Sequence, residues 1–66
     1  MLRATVVHGS ISQHRSIEVS DDLTAAKRQA AMEFGMGFTD HTIRIYDDET
    51  GEVISERRIG GRKWSR

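Results

Sequence analysis

Apolar side chains recur along this chain first at every second position, then at every third or fourth, then at every second again. Leu2, Ala4 and Val6, with Val7 following, alternate with Arg3 and Thr5 and predict a strand over Leu2–His8, broken by Gly9 and Ser10. Ile17 and Val19 alternate with Ser16 and Glu18 and predict a second strand over about Arg15–Ser20, closing a hairpin across a polar loop. Ile11, inside that loop, has no place in the pattern. Ser20, Asp21 and Asp22 then offer side-chain oxygens to free backbone amides, just where the apolar spacing lengthens, and predict a helix start. Leu23, Ala26, Ala30 and Phe34 form one stripe flanked by Lys27 and Ala31, while Ala25, Arg28, Gln29 and Met32 point away. Gly35 is the expected end of the helix.

After the link Gly35–Asp40, whose Met36 and Phe38 are expected to fold back under the helix end, His41–Tyr46 reads as a strand with Ile43 and Ile45 on one side and Thr42, Arg44 and Tyr46 on the other. Asp47, Asp48, Glu49, Thr50 and Gly51 supply turn chemistry, Gly51 providing a positive φ. The chain returns through Glu52 to Arg58, and either Val53 or Ile54 faces the core, because a one-residue slip inverts every side chain. Ile59 extends that strand, and Gly60 and Gly61 loosen or turn it. The order strand, strand, helix, strand, strand predicts an α+β fold, a single antiparallel β-sheet with one helix packed on one face. It is expected to form one small domain over residues 1–66, with a basic C-terminal tail at 60–66. No other element covers the second face, where Arg3, Thr5, Arg44 and Tyr46 are the outward candidates.

Composition narrows the function classes. A chain of 66 residues buries only about 60% of the surface its unfolded form exposes, so the core is small. The absence of cysteine excludes disulfides and thiolate zinc sites and fits a reducing compartment. No apolar run approaches the roughly 20 residues that span a bilayer, and MLRATVVHGS does not read as a secretory signal, so a cytoplasmic location and no membrane partner are expected. The formal net charge is zero, but the distribution is uneven. Asp47–Glu56 holds five acidic residues and no basic one, and Arg57–Arg66 holds five basic residues and no acidic one. An electrostatic partner therefore fits where the total suggests none.

Nothing in the sequence assembles an active site. Ser10, Ser12 and His14 lie together in a polar loop without a buried acid to orient the imidazole. His8, His14 and His41 lack the spacing that makes a metal site specific, and edge histidines are the plainer reading. The acidic turn lacks the alternating ligands of a calcium loop, and the glycines do not sit between a strand and a helix as a phosphate loop requires. No enzyme, metal or cofactor is expected. Binding is the better class. Arg57, Arg58, Arg62, Lys63 and Arg66 suit phosphate or carboxylate partners, and Trp64 either stacks on a partner or packs back on the sheet. Lys27 and Arg28 add a second basic patch, and Arg44 and Tyr46 belong to the open face.

Taken together, Ser16-Ile17-Glu18-Val19, Ala25-Ala26-Lys27-Arg28-Gln29-Ala30, Ile43-Arg44-Ile45 and Gly61-Arg62-Lys63-Trp64 resemble the pattern of small phage-borne anti-CRISPR proteins that inhibit type I CRISPR-Cas surveillance complexes (Cascade). The resemblance runs from Ser16 to Trp64. It implies a non-enzymatic inhibitor in the cytoplasm of a bacterial host, bound to the crRNA-binding backbone subunits of the complex and preventing target DNA binding. Non-specific DNA contact through the basic tail is part of the same implication. The hairpin tip Asp47-Asp48-Glu49-Thr50-Gly51 is more acidic than the pattern and suits a mimic of DNA phosphates facing a lysine-lined groove. Two rival readings are a nucleic-acid-binding domain using the open sheet face and tail, and an interaction module forming a homodimer through that face or Met32.

Overall fold

The computed structural model describes residues 1–8, 11–34 and 41–65, with the backbone alone for 11–15. The elements run β1 (Leu2–His8), β2 (Ile11–Val19), α1 (Leu23–Phe34), β3 (Thr42–Asp47) and β4 (Val53–Arg58). All four strands pair antiparallel in one sheet of order β2-β1-β3-β4, with α1 packed on one face, which is the α+β architecture expected from the periodicity.

Strand β2 begins at Ile11, four residues earlier than expected, so Ile11 belongs to the sheet opposite His8. The alternation is hidden there because the register shifts between Thr5 and Val7: Thr5 opposes Ser16 while Val7 opposes Ser12. A bulge of this kind breaks the period-2 signal and adds twist. The link Gly35–Asp40, with Met36 and Phe38, lies outside the described residues.

The helix forms where its first turn is satisfied from the side chains before it. Asp22 Oδ2 accepts from the Ala25 amide at 3.2 Å and Ser20 Oγ accepts from the Asp22 amide at 3.1 Å. Ala26, Ala30 and Phe34 are fully buried and Leu23 partly so, as the stripe predicts, whereas Met32 is 80% exposed. Two alanines on the inner stripe let the helix approach Ala4 and Val6 of β1 and Ile43 and Ile45 of β3, which together with Val19 make up the buried cluster. Leu2, Ile17, Ile59 and Trp64 pack against its margin. Among the described residues no helix is long and apolar enough to cross a membrane.

Strand β4 corrects the expected core contribution of the second hairpin. Neither Val53 nor Ile54 occupies the position opposite Ile45; Ser55 does, and it is fully buried. The register shifts between Ile45 and Tyr46, so that Tyr46 opposes Val53 and Ile54 is the extra residue. The bulge rotates the two apolar side chains out of the core register, leaving Val53 exposed and Ile54 half-buried. Gly51 closes the turn with φ +76, the conformation that glycine adopts without steric cost.

The chain after β4 turns back instead of trailing into solvent. Gly60 has φ +89, and a Cβ at Gly61 would lie 2.9 Å from the Arg58 carbonyl oxygen, so both glycines are required by the turn. Ser65 then meets the outer edge of β4 twice: its amide donates to the Glu56 carbonyl at 2.8 Å, and its Oγ accepts from the Glu56 amide at 2.9 Å.

Candidate partner-binding surfaces

The sheet face away from α1 is a grid of polar side chains built by the register. Glu18, Arg3, Tyr46 and Val53 form one row across the four strands, and Ser16, Thr5, Arg44 and Glu56 form the next. Arg3 donates through Nη2 to Ser16 Oγ at 3.0 Å and to the Ser16 carbonyl at 3.3 Å. Arg44 lies 3.6 Å from Glu56, its cross-strand neighbour. These long side chains lie along the sheet, and the centre beneath them is closed: Thr5 is 8% and Val7 4% exposed. Thr5 lies on that face as its place in the alternation predicts, buried beneath them.

The nine side chains predicted to bind a partner do not converge. Lys27 and Arg28 belong to α1, with Arg28 exposed and Lys27 half-buried. Arg44, Tyr46 and Arg58 share the opposite face, Arg58 standing across from Thr42. Arg57 opposes Ile43 on the helix side, where its guanidinium carbon lies 5.1 Å from the centre of the Trp64 ring. Trp64 is half-buried against the hydrophobic cluster. Arg57 is thus occupied by Trp64 and Arg44 by Glu56, and the Nε atoms of both arginines are buried without a hydrogen bond among the described residues. Arg62 and Lys63 are exposed at the turn that returns Trp64 to the core.

Acidic residues from two separate segments do share one end of the sheet. Asp21 Oδ1 accepts from the Leu2 amide at 3.0 Å and lies 3.9 Å from the Met1 ammonium, while the Asp48 amide donates to the Met1 carbonyl at 2.9 Å. Leu2 opposes Asp47 in the sheet, and the Asp47 amide donates to the Glu52 carbonyl at 2.8 Å. The start of α1 and the β3–β4 turn therefore sit side by side at one end of the sheet, bringing together Asp21, Asp22, Asp47, Asp48, Glu49 and Glu52. All but Asp47 are exposed. Sequence reasoning found the turn but not its partners, since Asp21 and Asp22 are far from it in the chain and read as helix-capping residues alone.

Arg58, Arg62 and Lys63 lie at the other end, where the Ile59 amide donates to the His41 carbonyl at 2.9 Å. A strand of six residues separates the two ends by about 20 Å, more than twice the Debye length of about 8 Å at physiological ionic strength. Each end is consequently sensed by a partner on its own, and the zero total does not cancel at contact. No family model, curated protein or solved structure matches the chain.

Proposed function

We propose that the protein is a non-enzymatic inhibitor that binds a type I crRNA-guided surveillance complex and keeps target DNA out of the groove it would enter. The partner class comes from the resemblance of the Ser16–Trp64 segments to anti-CRISPR proteins. The observation that carries the mode of binding is the gathering of Asp21, Asp22, Asp47, Asp48, Glu49 and Glu52 at one end of a sheet-backed domain. Carboxylates gathered at one end of a folded support carry charge of the same sign as a phosphate run, and a groove lined with Lys and Arg to hold nucleic acid attracts them by the same long-range field.

The test is retention of purified type I complexes of several subtypes on the immobilised full chain. Neutralising Asp47, Asp48 and Glu49 to Asn, Asn and Gln is expected to abolish retention, and replacing Arg62 and Lys63 by Ala to leave it in place. Failure to retain any subtype overturns the inhibitor reading. The exposed cations Arg58, Arg62 and Lys63 favour direct nucleic-acid binding as the second reading. It requires a gel shift with DNA alone at low salt, with a slope of about −2.7 in log K against log salt for three phosphate contacts.

A further inference from the structure

His8 ends β1 and His41 precedes β3, and the antiparallel register that pairs Val7 with Thr42 sets them opposite each other. Their ring centroids lie 4.7 Å apart with planes inclined by 25°. His8 is exposed and His41 half-buried, at the sheet end remote from the carboxylates. His8 lies within β1, and the His41 carbonyl accepts from the Ile59 amide at 2.9 Å, so the backbone is held on both sides of the pair.

We propose that His8 and His41 form a two-imidazole site for a divalent transition metal ion of the Cu2+, Ni2+ or Zn2+ class, with water completing the coordination. Imidazole nitrogen binds such ions at about 2.0–2.1 Å, which places each ring centre about 3.2 Å from the metal. Two rings subtending about 90–110° at one ion then have centres roughly 4.5–5.2 Å apart, and the observed separation falls within that interval. The near-parallel planes must open for both nitrogens to converge. That motion is rotation about the Cβ–Cγ bond, a broad torsion for histidine, and the exposed His8 ring has room for it. Among the described residues no third His, Cys, Asp or Glu joins the pair in a group able to hold an ion, so water has to fill the remaining positions, and Cu2+ is the tightest binder of the class. Bound metal links β1 to β3 and stabilises the native state by linkage.

The experiment is isothermal titration of NiCl2 into the full chain at neutral pH, with the wild type compared with His8→Gln, His41→Gln and His14→Gln, each checked for folding by circular dichroism. Loss of an outer-sphere partner alone lowers metal affinity by about tenfold or more, so loss of either ligand is expected to weaken Ni2+ binding by at least that factor. His14→Gln keeps it, and the wild-type melting temperature rises with added Ni2+. Wild-type affinity in His8→Gln overturns the site, as does a loss in His14→Gln equal to that in His8→Gln. Should His41→Gln fail to fold, the exposed His8 variant decides alone.

Discussion

Replacing Trp64 by Ala removes the side chain that seals the margin of the core, and the cost follows from its surroundings. A fully buried tryptophan costs about 3–5 kcal/mol when truncated, and the half-buried Trp64 about half of that. Loss of the Arg57 contact, whose guanidinium lies 5.1 Å from the ring centre, adds about 0.5–1 kcal/mol. The sum, about 2–3.5 kcal/mol, compares with about 3–10 kcal/mol for the whole stability of a chain this long. Urea unfolding followed by far-ultraviolet circular dichroism, which does not need the missing indole, reads the change directly. With a slope of about 1 kcal/mol per molar, the midpoint falls by roughly 2–3.5 M. A second arm, the double-mutant cycle with Arg57→Ala, isolates the ring–guanidinium coupling. A Trp64→Ala stability within about 0.5 kcal/mol of wild type refutes the packing role and makes Trp64 a surface anchor.

Other substitutions test separate parts of the fold. Phe34→Ala empties a fully buried site and costs about 3–5 kcal/mol, so the variant is expected to show no cooperative thermal transition at 37 °C. Asp22→Ala removes the acceptor for the Ala25 amide and lowers stability by about 1 kcal/mol in the same urea assay. Gly60→Ala forces a side chain into φ +89 and costs about 1 kcal/mol, with increased amide exchange at Ser65 as the local signature. The part-exposed Arg44–Glu56 pair is expected to give a coupling below about 1 kcal/mol that shrinks further in 1 M salt.

Periodicity was enough to read the architecture because Leu2, Ala4, Val6, Ile43 and Ile45 alternate cleanly and the helical stripe ends at Phe34. It failed where a bulge intervenes. Ile11 looked unattached because β2 is irregular between its pairs with Thr5 and Val7. Ser55 was overlooked as a core residue because Val53 and Ile54, the obvious apolar candidates, are turned aside by the shift at Tyr46. Charge blocks were legible only as far as they were continuous. Asp47–Glu52 stands out in the chain, but its union with Asp21 and Asp22 depends on hydrogen bonds through Met1 and Leu2. The stacking of His8 on His41 likewise follows from strand pairing that linear spacing does not contain.

The return of Ser65 to Glu56 makes the two margins of the sheet unequal. A foreign strand adding alongside β4 has to break both Ser65 contacts and pull Trp64 from its packing, whereas among the described residues β2 pairs only with β1. Among the described residues the β4 edge is therefore the one guarded against an added strand, because pairing there competes with contacts already made.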